Sequence, residues 1–170
     1  KRFFDITRDA AFVMAMRNPA RAAVQWLSDR VDEDGLFSIP KAGLGAVESG
    51  PLAGKIRAEV YSQGMVIAAL RSFVALYADD PAAPTMRALE ARMCGAFEAF
   101  WSEERRHYGF AILTDGGRMD DLSGYTAAPL SLGVGEKERA AATAAALCRP
   151  QVASDWGVRM FAVDSAIYDP

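Results

Sequence analysis

Cysteine, histidine and long apolar runs are all scarce in this chain of 170 residues. Cys94 and Cys148 are the two cysteines, far apart in otherwise helical text. A disulfide-stapled secreted domain carries more, so both read as reduced, packed thiols, and a cytoplasmic location is expected. His107 is the single histidine, so a zinc site built on His and Cys has no ligand spacing to use. A Ser-His-Asp arrangement would have to use His107, and no Gly-x-Ser-x-Gly elbow occurs. His107 therefore reads as a loop-edge imidazole after Arg105-Arg106. No apolar run approaches the roughly 20 residues of a membrane span. Basic charge is not in excess: 19 Lys+Arg stand against 22 Asp+Glu, a formal charge of −3. A nucleic-acid partner is therefore not expected. No signal-peptide pattern opens the chain, which begins at Lys1 rather than Met and is expected to be processed or part of something longer.

Two further motifs fail on spacing. Gly50-Pro51-Leu52-Ala53-Gly54-Lys55-Ile56 has one residue too few between its glycines for a phosphate loop, and Ile56 replaces the required Ser/Thr. Asp32-Glu33-Asp34-Gly35 suggests a calcium loop, but aligning Gly35 with the obligatory turn puts Arg30 and Lys41 where carboxylates must stand. Neither a metal nor an organic cofactor is expected.

What is present is apolar sequence at helical spacing. Hydrophobic residues are 51% and charged residues 24%, which suits one folded domain. Helices are predicted over about Asp9–Arg17, then from Asn18-Pro19 to about Val31, with Asn as cap and Pro in the first turn. From Asp32 to about Ile56 no helical period survives, and a connection that long tends to be functional. Ala58–Tyr77 is predicted as a helix apolar almost all round, hence buried on most sides. Thr85–Trp101 is an ordinary one-sided helix. Arg105–Asp121 reads as extended chain with a hairpin turn at Asp115-Gly116-Gly117. Leu122–Leu132 holds a short helix and Glu136–Leu147 a clear one, while Trp156–Pro170 shows no helical stripe. A buried helix followed by a one-sided helix suits concentric helical layers; a four-helix bundle prefers short loops throughout.

The remaining chemistry lies in carboxylates and aromatics. Glycoside hydrolysis needs one carboxylic acid to protonate the leaving oxygen and a second carboxylate to activate water or attack the anomeric carbon. Glu48, Glu59, Asp120, Asp121 and Asp164 are the candidates, with Tyr61, Gln63, Trp156 and Arg159 as sugar contacts. Glu59 also suits a helix N-terminal dipole, and Asp120-Asp121 a solvated turn. Trp156 and Arg159 also suit a packed anchor and a surface charge. Glu59 and Gln63 lie one turn apart, so both side chains are placed to face one ligand.

Three segments carry a family resemblance. Ala58-Glu59-Val60-Tyr61-Ser62-Gln63-Gly64, with Met65 to Leu70 behind it, resembles the Glu-Val-Gln-Gly-Tyr helix start of six-hairpin glycosidases. Asp120-Asp121-Leu122-Ser123-Gly124-Tyr125 through Leu132 is similar to an acidic turn before one of that family's barrel helices. Trp156-Gly157-Val158-Arg159-Met160 and Asp164–Pro170 resemble its Gly-Leu-Arg and Tyr-x-Pro segments. The order and rough spacing of the pieces match over roughly two thirds of the chain, and the resemblance is strongest to the amylo-alpha-1,6-glucosidase domain of glycogen-debranching enzymes. It implies an all-α fold, part of an (α/α)6 toroid with a small β-hairpin excursion. It also implies hydrolysis of an alpha-linked glucan or related oligosaccharide by a general acid and a general base. Catalysis then falls to Glu48 or Glu59, and substrate binding to Tyr61, Gln63, Asp120, Asp121, Trp156 and Arg159.

The sequence departs from the family pattern in three places. Glu48 is the only positional substitute for an acidic residue in a missing Trp-Lys-Asp-Ser stretch. Tyr61-Ser62 separates Val60 from Gln63. The second catalytic carboxylate is expected beyond Pro170, and a full toroid needs roughly twice this many residues. Residues 1–170 are thus expected to be one partial toroid domain lacking its C-terminal hairpins. Its exposed inner face would then be covered by the rest of the chain or by a second copy. A sugar epimerase or isomerase on the same toroid is one alternative, disfavoured by the single histidine. A non-catalytic helical carbohydrate-binding or scaffold module is another.

Overall fold

The computed structural model describes residues 1–43, 45 and 52–168. About 52% of it is helical, with small sheets between the helices. Three helices open the chain: α1 (Arg2–Thr7), α2 (Ala10–Ala15) and α3 (Arg17–Ser28). Asp9 caps α2 by accepting from the Phe12 N–H at 2.9 Å. α3 starts at Arg17, so Asn18 lies inside the helix and Met16, not Asn18, stands at its cap, while Pro19 falls in the first turn as expected, where no N–H donor is needed. A short α4 (Ile39–Ala42) interrupts the long connection that lacked any helical period.

The long apolar helix is α5 (Val60–Leu76), and it packs against α3, α6 (Ala83–Phe97) and α7 (Ala127–Ser131). Val66, Ile67, Leu70 and Phe73 are buried along one broad face of it, while Met65 and Ala75 are exposed, so the helix expected to be buried on most sides keeps an open edge. The α5–α6 pair is a helical hairpin, and its turn is strapped to the N-terminal helices. The Asp80 carboxylate accepts from Arg21 Nε and from the Ala82 N–H, each at 3.0 Å. Arg17 reaches Asp79 at 2.9 Å, and the Tyr77 hydroxyl donates to the Val13 carbonyl at 2.8 Å.

The extended excursion is larger than one hairpin. β1 (Ile56–Glu59), β4 (Ala111–Leu113) and β5 (Arg118–Met119) form an antiparallel sheet in the order β1-β4-β5. β2 (Trp101–Ser102) pairs with β3 (His107–Tyr108), and β6 (Ala153–Ser154) with β7 (Gly157–Val158). His107 is therefore not at a loop edge. It sits in β3, 5% exposed, because α8 (Lys137–Leu147) packs over that strand and Thr143 Oγ accepts the Tyr108 N–H at 3.0 Å.

Two cores result. The main one surrounds α5 and includes Phe97, Tyr108, Phe110 and Phe161. The second holds Leu122, Ala146, Leu147, Val152 and Ala162. An extended pair separates them: Ser123 bridges Phe161, and the Ala162 N–H donates to the Leu122 carbonyl at 3.0 Å. Neighbouring residues on extended chain point to opposite faces, so Phe161 enters the main core and Ala162 the second. No helix among the described residues is long and apolar enough to cross a membrane.

Candidate active site

Glu59 ends β1 and stands at the N-cap of α5 with extended backbone, φ −129° and ψ 148°. The sequence placed it inside the helix; pairing of Glu59 with Ala111 of β4 holds it in the sheet instead. Its side chain does not cap the helix. The Val60 N–H is taken by the Phe110 carbonyl at 2.9 Å. The Glu59 carboxyl is fully buried and accepts from Ser62 Oγ at 2.5 Å. Gly45 lies over it: a Cβ there would come within 3.1 Å of Glu59 Oε2.

A tyrosine of this region, Tyr125, feels the charge of this carboxyl. Tyr61 meets Tyr125 edge-on at 5.7 Å between centroids, and Tyr125 continues onto Phe110 and Phe161. Burial pushes the Tyr125 phenol above its ordinary value, and the charges of Glu59 and Tyr61 push the same way. Glu59, Ser62, Tyr61 and Tyr125 thus form one group at the mouth of α5. Ser62 and Tyr125 stand in the segments that carry the resemblance, yet only the fold shows them beside the carboxyl.

Gln63 leaves this group. Its Oε1 accepts the Phe37 N–H at 2.7 Å, and its Nε2 donates to the carbonyls of Gly35 at 3.0 Å and Met93 at 3.2 Å. The amide is fully buried and ties the 35–37 turn to α6. Both polar groups of the Gln63 amide are thus engaged by main chain, while the Glu59 carboxyl accepts from Ser62.

The other candidates are spread. Asp120 accepts from Ser102 Oγ at 2.9 Å and from Arg118 Nη2 at 2.9 Å, which fastens β5 to β2. Asp121, the next residue, lines a separate cleft with Asp164. Trp156 is 98% exposed at the tip of the β6–β7 hairpin. Arg159 donates through Nη1 to the carbonyls of Pro150 and Ala153 at 3.1 and 3.2 Å and so anchors that hairpin. The chain around Arg159 runs close to the tyrosines: the Gly124 N–H and Ser123 Oγ both donate to the Met160 carbonyl. Glu48 lies outside the described residues. No group of three or more His, Cys, Asp or Glu among the described residues is arranged to hold a metal ion.

No protein-family model and no curated protein matches the chain. A solved structure does: the glycoside hydrolase family 78 rhamnosidase of Bacillus sp. GL1, with a TM-score of 0.72 and 23% identity over 94% of this chain. The fold is therefore a helical one also found in a glycosidase. The match spans 17% of the rhamnosidase chain.

Proposed function

We propose that this chain is part of an (α/α)6 toroid that acts on carbohydrate as a glycoside hydrolase, with Glu59 as proton donor. The observation that carries the reading is a fully buried carboxyl at the head of the central helix, beside two tyrosine rings, in a fold shared with a glycosidase. A general acid must hold a proton that it can give to the leaving oxygen and recover afterwards, and a carboxyl is a group that can do both. Ser62 fixes the orientation of that carboxyl. Tyr61 and Tyr125 offer the apolar faces on which sugar rings stack, and Trp156 on its exposed hairpin supplies a third face to a chain-like substrate. The substrate class is an alpha-linked glucan or related oligosaccharide, as the debranching-enzyme resemblance implies, with an alpha-rhamnoside as the direct rival. The carboxylate that activates water is expected outside these residues, with Glu48 the nearest candidate in sequence.

The test is turnover of maltotriose, a branched alpha-glucan and an aryl alpha-rhamnoside by the protein carrying this segment, wild type against Glu59→Gln. Loss of one general acid should cost about 10²–10⁴-fold in rate while the fold is retained. Unchanged turnover in a folded Glu59→Gln variant refutes the assignment.

A further inference from the structure

A second polar cleft, of about 430 Å³, opens on the other side of the extended pair that divides the two cores. That volume falls within the roughly 300–1,000 Å³ of small-molecule sites. Its floor is Leu122 and Ala162, both members of the second core. Phe161, one residue from Ala162, points the opposite way and packs on Tyr125. The cleft is therefore not an extension of the Glu59 group.

Its walls come from four segments held by main-chain bonds. The Val163 N–H donates to the Gln151 carbonyl at 3.0 Å, the Ala162 N–H to the Leu122 carbonyl at 3.0 Å, and the Ala153 N–H to the Arg149 carbonyl at 2.8 Å. The fourth wall is the β2–β3 hairpin, which brings Arg105 and His107. The site is thus formed before any ligand arrives, which lowers the ordering cost of binding.

The charged, imidazole and amide side chains lining the cleft are those of Arg105, His107, Asp121, Arg149, Gln151 and Asp164, with the Ser165 hydroxyl beside them. Among the described residues neither guanidinium and neither carboxylate is in an ion pair with another side chain. Two cations and two anions leave the lining without net charge. A phosphate would meet the aspartates and an ammonium the arginines, so neither ion is favoured. His107 Nδ1 lies 3.1 Å from the Tyr108 carbonyl, which assigns the ring proton to Nδ1 and leaves Nε2 as an acceptor. Burial lowers the imidazole's pKa, which keeps it in that neutral form.

We propose that this cleft is a saccharide-binding subsite, taking one or two sugar units through carboxylate, guanidinium and amide contacts to vicinal hydroxyls. Neighbouring hydroxyls each donate and accept, so they match a lining that holds both planar donors and planar acceptors without net charge. Leu122 and Ala162 offer the apolar floor for the C–H face of the ring. The choice of sugar as ligand rests on the carbohydrate reading above; the existence of the cleft does not.

The experiment is an NMR titration of the protein carrying this segment, segmentally labelled over residues 1–170, with maltotriose and with L-rhamnose, and with inorganic phosphate and glycine as ionic controls. Amide shifts at 105–107, 121–122, 149–151 and 162–166 on adding either saccharide, absent with phosphate and glycine, support the subsite. Asp164→Ala and Arg149→Ala alter exposed side chains, and each should weaken saccharide binding by about tenfold or more with the spectrum otherwise unchanged. Glu59→Gln should leave this binding intact. Saccharide shifts confined to Tyr61 and Tyr125, no shifts at millimolar saccharide, or phosphate or glycine shifts in the cleft equal to those of the sugars would each overturn the proposal. If the cleft binds sugar while Glu59→Gln leaves turnover unchanged, the catalytic reading fails and the subsite stands. If turnover depends on Glu59 while the cleft stays silent, the reverse holds.

Discussion

Replacing Gln63 by methionine separates two roles for the same side chain. Methionine matches glutamine in length and removes only the polar atoms. The Phe37 N–H, 2.7 Å from Oε1, would lose its partner inside a site with no exposure. A buried donor left unpaired costs roughly 1–3 kcal/mol. The carbonyls of Gly35 and Met93 lose the Nε2 donor at 3.0 and 3.2 Å. Each carbonyl has a second lone pair, so their shared loss adds about 1 kcal/mol. The sum is about 2–4 kcal/mol. With a slope of about 2 kcal/mol per molar urea, the middle of the usual range, the denaturation midpoint should fall by about 1–2 M. Urea unfolding followed by circular dichroism reads this directly, with the slope as a check that the unfolded state is unchanged. A midpoint within about 0.3 M of wild type, combined with weaker binding of maltotriose, would refute the structural role and restore Gln63 as a sugar contact.

Two glycines in helices should respond to alanine in opposite directions. At Gly64 in α5 a Cβ would come within 2.4 Å of Pro129 Cβ in α7, so Gly64→Ala is expected to destabilise by about 1–3 kcal/mol. At Gly95 in α6 a Cβ meets nothing within 4 Å, so Gly95→Ala should stabilise by about 0.5–1 kcal/mol in the same thermal melt. Two variants of equal sign would contradict the α5–α7 contact. Acid titration tests the strap on the helical hairpin. Arg21 and Arg17 hold the Asp80 and Asp79 carboxyls below the usual carboxylate range. Their contribution is present above about pH 3.9, where the unfolded carboxylates are ionised, and is lost as pH falls through the depressed native values. Asp80→Asn should therefore be less stable at neutral pH and show a shallower loss of stability below pH 4. An acid limb as steep as that of wild type would remove the pair from the account.

Much of the helical frame was legible because its determinants are local. α5 follows from its run of apolar residues and α8 from its run of small ones, and Glu136, the predicted start of α8, is its cap, accepting the N–H groups of Glu138 and Arg139. β1 was not legible. Ile56-Arg57-Ala58-Glu59 flows into a helical pattern, and only its partner β4, more than fifty residues later, keeps it extended. The same distance hid the role of Gln63, whose three partners come from the 35–37 turn and from α6. His107 was misplaced because the arginines before it suggest solvent, while the helix that buries it comes some thirty residues later. Asp120 and Asp121 were read as one acidic turn. On extended chain, neighbours face opposite ways, and one carboxylate meets Arg118 while the other enters the cleft.

Helix α5 carries two buried polar side chains four residues apart, and the contrast between them bears on function. Burial of either is costly unless its hydrogen bonds are replaced. Gln63 has that replacement in three main-chain groups, so the position explains the residue: a neutral amide joins two segments. Glu59 differs in kind, because its side chain is an acid. Its backbone work, pairing with Ala111 and starting α5, depends on main-chain atoms that glutamine would supply equally. Its contact with Ser62 Oγ could be made by an amide oxygen as well. What glutamine lacks is a proton that can be given away and recovered. The proposed chemistry predicts that Glu59→Gln stops turnover, and a circular-dichroism melt of the same variant reads any structural cost separately. The combination of intact folding and lost turnover is one that no packing role for Glu59 would produce.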